Sequence, residues 1–150
     1  MNIISECKYG VHDISRTELD KANSLPRFNM PLELGLDLGA RRYGVGRHRT
    51  KKLLVLDKTQ HRYQKFISDL AGLDVIPHFG RPKHIIRHVR DWLSLESKSP
   101  NIPGGFYMFS RYKTFQRDFP KLCQARKQDP QEVTFGDFSD IVRVWLEEEL

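Results

Sequence analysis

Residues 26–39 read P-R-F-N-M-P-L-E-L-G-L-D-L-G, and the organisation of the whole chain follows from how this stretch folds. Asn29 stands where a helix N-cap is expected, Pro31 suits a first helical turn, and Leu32, Leu34, Leu36 and Leu38 carry the helix onward. Glu33 then falls near a helix N-terminus. There the exposed backbone N–H groups and the macrodipole favour a carboxylate, and also a bound phosphate or ribose hydroxyl nearby. Gly35 and Gly39 leave one helix face bare for the approach of a strand or a ligand. The same residues also describe an ordinary amphipathic helix with an acidic capping residue.

On either side of this helix the pattern alternates. Met1 to Lys8 reads as the last turns of a helix, and Tyr9 to Ile14 as a short strand with Asp13 near its carboxyl end. In an open parallel sheet ligands bind outside the carboxyl ends of the strands, so an Asp there is well placed for binding, as it also is for capping the turn that follows. Ser15 to Leu25 is polar and lacks a sustained period, as a loop does. Downstream, L-L-V-L-D at residues 53–57 is a continuous apolar run bounded by charge, the signature of a strand buried on both faces. His61 to Gly72 carries apolar residues at helical spacing, Asp74 to His78 reads as a strand, and Pro82 to Leu95 as a helix. Strand alternating with helix argues for a parallel α/β sheet with right-handed crossovers.

The boundary S-K-S-P-N-I-P-G-G at residues 97–105 divides an α/β domain, 1–96, from a helical segment, 106–150. In that segment Phe109, Tyr112, Phe115 and Phe119 share one helix face, and Pro120 is expected to end or kink the helix. Thr134 and Asp137 form a capping pattern for a last helix with the stripe Phe138, Ile141, Val142, Trp145 and Leu146, and the acidic tail Glu147 to Glu149 opposes that helix's dipole. The fold class is therefore α/β: a partial doubly wound parallel sheet of about three strands with a C-terminal helical appendage.

Composition bounds the rest. The chain has 150 residues, 39% hydrophobic and 29% charged, enough to bury a core and too apolar for a disordered chain. No apolar run of about 18 residues is present and the N-terminus lacks a signal-peptide pattern, so a soluble cytoplasmic protein without a membrane partner is expected. Cys7 and Cys123 suit buried thiols. His84 and His88 lie four apart in H-I-I-R-H, which lacks the zincin Glu, and no metal is assigned. The net charge of +6 includes the run R-R-Y-G-V-G-R-H-R-T-K-K at 41–52, which reads first as a solvated loop and second as a surface for nucleic acid or pyrophosphate. Nucleic acid, held there and by Arg111 and Arg117, is thus a partner of lower rank.

H-D-I-S at 12–15, R-F-N-M-P-L-E-L-G-L-D-L-G at 27–39 and L-L-V-L-D at 53–57 together resemble the motif of the superfamily of nucleoside 2-deoxyribosyltransferases and TIR-type (Toll/interleukin-1 receptor) domains. H-R-Y-Q-K-F-I-S-D-L-A-G at 61–72 and V-R-D-W-L at 89–93 add a likeness to an uncharacterised bacterial group with such a domain. The resemblance covers residues 1–95 and implies a flavodoxin-like sheet. It implies that Glu33 is the catalytic carboxylate acting on an N-glycosidic bond, as nucleophile or electrostatic stabiliser of an oxocarbenium-like state. Asp13 is then its partner near the ribose, with Asn29, Ser15, Asp37 and Arg27 about the substrate. The substrate is NAD or a nucleoside or nucleotide, no cofactor is required, and a bacterial defence effector is a suggested role. A binding module of the same fold without chemistry is the alternative. Because the chain starts at what looks like the helix before the superfamily's third strand, with roughly the first two strands missing, Tyr9–Ile14 is expected at a sheet edge, and the chain is expected to be a shortened (N-terminally truncated) protein or to have that edge completed by a second copy or by another chain.

Overall fold

The run at residues 53–57 becomes the central strand of a three-stranded parallel sheet. A computed structural model describes residues 2–19, 24–70 and 73–148. Strands β1 (Tyr9–Asp13), β2 (Lys52–Asp57) and β3 (Val75–Pro77) lie in the order β1-β2-β3, with Asp13 level with Leu56 and Leu56 level with Ile76. Leu54, Val55, Leu56 and Asp57 are all buried, as the continuous apolar pattern requires of a strand covered on both sides. Helices α1 (Asn2–Glu6), α2 (Asn29–Tyr43) and α3 (Pro82–Ser97) accompany the sheet, and α4 (Gly105–Ala125) and α5 (Phe135–Glu148) follow it.

Strand alternation assigns the faces. His12 and Ile14 point towards α2: His12 Nε2 meets Asp37 Oδ2 at 2.9 Å, and Ile14 packs in one core with Leu34, Val55, Tyr63 and Leu70. Tyr9 and Asp13 point the other way, where the Tyr9 ring meets Trp92 of α3 edge-on at 5.9 Å. On the same face Lys52 pairs with Glu96 of α3 at 3.0 Å. With α2 and α3 on opposite faces, the sheet is doubly wound. The outer side of β1 is a free edge among the described residues, since β1 pairs only with β2.

The α2 face closes over a buried ionic cluster. Asp37, 4% exposed, receives Lys51 Nζ on Oδ1 at 2.9 Å and His12 Nε2 on Oδ2. Lys51 Nζ also donates to the Cys7 carbonyl at 2.7 Å, so the ammonium is spent inside the fold. The close approach expected at Gly35 and Gly39 is not there, because nothing lies within 4 Å of where their Cβ atoms would stand. It falls on the strand: a Cβ on Gly10 would meet Asp37 Oδ2 at 2.8 Å and Leu53 Cδ2 at 2.9 Å.

Three local expectations are corrected. Asn29 is the first residue of α2 and not its cap; Phe28 occupies the cap without a side-chain bond, and its carbonyl receives the Leu32 N–H at 2.9 Å. Glu33 consequently lies just beyond the first turn. The helix expected over His61 to Gly72 is instead two 3-10 turns, Arg62–Lys65 and Ser68–Leu70, with Gly72 outside the described residues. His61 turns the chain with a φ of 60°, and the Arg62 guanidinium is tied down to Asp57, so short turns deliver Tyr63 and Leu70 to the core where a continuous helix does not form. Finally, α4 runs through Pro120 to Ala125. The ring costs one helical hydrogen bond, but Phe115 and Cys123 on either side of it are buried against Ile141 and Trp145.

The chain divides into two units, Met1–Ile102 and Pro103–Leu150. The second has its own aromatic core, with Phe115 edge-on to Trp145 at 5.2 Å. Its α5 starts on a reciprocal cap: Asp137 Oδ2 accepts from Thr134 Oγ1 at 2.6 Å, and the Asp137 N–H donates to Thr134 Oγ1 at 3.3 Å. Glu149 lies outside the described residues.

Two outcomes follow. Asp37→Ala leaves the Lys51 ammonium buried without its counter-charge, so urea unfolding should register a loss of about 3–5 kcal/mol; a loss below about 1 kcal/mol would show that α2 is held by apolar packing alone. The hydrogen bonds from Thr134, then that from Gln128, hold the Asp137 carboxyl below its ordinary value. A lowered native pKa stabilises above the unfolded value, and that contribution is lost as pH falls through the native one. Protection of the amides in the first turn of α5, measured relative to their intrinsic exchange rates, should therefore fall in acid in the wild type, and much less so in Asp137→Asn.

Candidate functional site at the strand ends

A cavity of about 480 Å³ opens at the carboxyl ends of the three strands. Its walls come from the residues that follow each strand, which is where the crossovers of a parallel sheet leave room for a ligand. Asp13 and Ser15 come from the end of β1, Lys58 from the end of β2, and His78, Gly80 and Pro82 from the passage between β3 and α3. Arg16, Glu18 and Arg27 are contributed by the loop that leads into α2.

The centre of the site is a carboxylate held at one oxygen. Asp13 Oδ1 accepts the Ser15 N–H at 2.9 Å and lies 3.3 Å from His78 Nε2. The Gly80 N–H donates to His78 Nδ1 at 3.0 Å, so Nδ1 is the acceptor nitrogen and the ring proton sits on Nε2, directed at Asp13. His78 is thus a neutral donor fixed in one tautomer, with its side chain 4% exposed. Asp13 is 40% exposed, and its Oδ2 is left to accept from a ligand hydroxyl or amine. Around it stand the exposed cations Arg16, Arg27 and Lys58. The N-terminus of α3 borders the same space and adds its partial positive charge.

The loop holding this arrangement is strained in one place and braced in another. Phe79 and Gly80 are consecutive residues with φ of 56° and 68°, a conformation that a side chain such as Phe79's adopts at a cost of about 1–3 kcal/mol. The Phe79 N–H is tied to the Lys58 carbonyl and the His78 N–H to the Asp57 carbonyl, both at 2.9 Å. Beneath them Asp57, 0% exposed, receives Arg62 Nη2 at 2.7 Å. Nε donates to the same Asp57 oxygen at 2.8 Å, Nη2 also donates to the Ile14 carbonyl at 2.8 Å, and Nη1 donates to Thr17 Oγ1 at 3.1 Å. One side chain therefore pins the end of β1 to the end of β2.

The structure brings three of the expected residues together: Asp13, Ser15 and Arg27 all line the cavity. Asn29 and Glu33 are exposed and outside its lining, and Asp37 is buried in the ionic cluster with Lys51 and His12. His78, Lys58 and Arg16 were not singled out from the sequence. The signal for two of them was present: each directly follows a strand, as the loop after Asp13 does. On α3, His84 and His88 meet edge to face at 6.3 Å, and burial, then the neighbouring Arg87 charge, holds His88 below its ordinary value. A larger groove of about 860 Å³ lies between α4 and α5, lined chiefly by aromatic side chains, and lacks convergent polar groups of the strand-end kind.

Comparison of the chain with protein-family models, with curated proteins and with solved structures finds no match in any of the three.

Arg62→Ala should release the loop after β1 and leave Asp57 buried without its cation. The expected result is a stability loss of about 3 kcal/mol or more, with amide exchange accelerated selectively at residues 14–19; uniform acceleration across the sheet would mean that Arg62 serves the core and not the loop.

Proposed function

We propose that the strand-end cavity binds a small anionic, hydroxyl-bearing ligand of the nucleotide class. The observation that carries this reading is the juxtaposition of one half-bonded carboxylate, Asp13, with three cations in a cavity of about 480 Å³ at the ends of parallel strands. Arg16, Arg27 and Lys58, together with the α3 N-terminus, supply the charge for phosphate oxygens. Asp13 Oδ2 is an acceptor for ribose hydroxyls, and a neutral His78 keeps that carboxylate in one orientation. A purely cationic pocket would suit inorganic phosphate; the carboxylate adds a preference for the sugar.

A second reading is favoured by the position of the same carboxylate. If the ribose seats against Asp13, its oxygen is available to stabilise an oxocarbenium-like state, and the chain then cleaves or exchanges the N-glycosidic bond of NAD or a nucleoside. On this reading the carboxylate beside the sugar is Asp13 and not Glu33, whose side chain is exposed outside the cavity lining.

Calorimetric titration with nucleoside monophosphates, NAD and the parent nucleosides tests the first reading. Asp13→Asn should weaken binding by about 10-fold or more, as for loss of a hydrogen bond to a charged acceptor, Lys58→Ala should weaken only the phosphorylated ligands, and Glu33→Gln should change neither. Absence of binding by folded wild type at millimolar ligand would overturn it. Mass spectrometry of the same mixtures tests the second: release of free base by wild type and Glu33→Gln, but not by Asp13→Asn, is the outcome that establishes it.

A further inference from the structure

We propose that the arginine turn at residues 41–49 is a binding surface for single-stranded nucleic acid, at the opposite end of the sheet from the strand-end cavity. Between Asp37 and Asp57 the chain has six Lys and Arg residues and no carboxylate. The structure sorts those six by role. Lys51 is buried on Asp37, and Lys52 is paired with Glu96. Arg41, Arg42, Arg47 and Arg49 have no carboxylate partner among the described residues, and all except Arg41, which is half-buried, are exposed. What remains is therefore an all-arginine set, the side chain whose planar fork matches phosphate and stacks on bases.

These four are gathered by a built turn. Arg41 and Arg42 end α2, and Arg47 and Arg49 lie on the 3-10 turn Gly46–Thr50 that folds back on it. The reversal requires glycine twice. A Cβ on Gly44 would run into the Ala40 carbonyl oxygen and come within 2.7 Å of His48 Cβ, and Gly46 has a φ of 58°. Arg49 Nε then donates to the Gly44 carbonyl at 3.1 Å and Thr50 Oγ1 to the Arg47 carbonyl at 2.9 Å. Stabilisation of the α2 dipole accounts for Arg41 and Arg42 but not for Arg47 and Arg49.

An aromatic ring stands in the middle of this charge. Tyr43 is 79% exposed and Val45 74%. The Arg42 guanidinium lies 5.8 Å from the Tyr43 ring centre, which leaves a second ring face for a base. Cations tracking a backbone beside an exposed stacking ring are the elements by which proteins hold single strands without reading their sequence. A duplex, whose bases are already stacked, cannot use the ring.

Fluorescence anisotropy with labelled oligo-dT and oligo-rU, their duplexes, unlabelled polyphosphate and anionic vesicles as competitors tests this. Both single strands should bind more tightly than duplex, with an affinity that falls with salt by up to about 0.7 logarithmic units per logarithmic unit for each phosphate engaged. Arg42→Glu with Arg47→Glu should abolish binding, and Tyr43→Ala should weaken it by about 5-fold or more while leaving the salt slope unchanged. All three side chains are exposed, and unchanged circular dichroism and melting would exclude unfolding as the cause. Adenosine monophosphate should not displace the oligonucleotide, which separates this surface from the strand-end cavity whether or not that cavity binds nucleotides. Displacement by it, equal competition by polyphosphate or vesicles, or indifference to Tyr43→Ala would overturn the proposal.

Discussion

The fold depends on finding counter-charges for carboxylates that lie inside it. Asp37 and Asp57 are 4% and 0% exposed, and an isolated charge at such depth is untenable. Each is answered by a cation from a neighbouring segment: Lys51, the residue just before β2, answers Asp37 on α2, and Arg62 from the turn after β2 answers Asp57. Such pairs add little net stability over apolar packing, because desolvation consumes most of the attraction. Their effect is selective. An α2 rotated by one residue would take Asp37 away from Lys51 and His12 and bring an unpaired charge under the sheet. Gly10 belongs to the same constraint, since a side chain there would occupy the carboxylate's place.

That constraint reaches the strand ends through Arg62. The guanidinium that neutralises Asp57 also takes the carbonyl of Ile14, one residue beyond Asp13. The position of Asp13 is thus fixed from below by the core, through Ile14, and from the side by His78. Much of the cavity's polar geometry is backbone: the N–H groups of Ser15 and Gly80 orient Asp13 and His78 respectively. A site arranged this way needs no flexible side chain to order itself when a ligand arrives, apart from the cations at its rim.

The strands and the main helices were legible because burial on both faces leaves an apolar run, L-L-V-L-D, that tolerates no other placement, and because Asp13 at a strand end follows from topology. The misreadings share a cause. Helical periodicity over His61 to Gly72 recorded which residues enter the core, Tyr63 and Leu70 among them, but the same spacing is met by two tight turns once Arg62 is tied to Asp57. Asp37 could be taken for a ligand contact because a carboxylate one turn from Glu33 looks surface-bound until Lys51 is seen beneath it. That partner is 14 residues away in a basic run, and nothing in one dimension distinguishes the buried lysine from its exposed arginine neighbours.

The two ends of the sheet divide the charge between them in a way that the net value of +6 conceals. At the carboxyl ends the cations share a small cavity with Asp13 and Glu18, so that charges of both signs face one confined space. At the amino ends Asp37 consumes Lys51, and what is left is arginine and an exposed ring on an open turn. Burying one lysine is therefore what gives the second surface its composition. The ionic pair that sets the register of α2 also removes from the basic run the one cation directed inward and leaves outward those suited to stacking and to forked phosphate contacts. Core and surface are in this respect one design, since exchanging Asp37 for an apolar residue would change the charge available at the turn as well as the packing under the sheet.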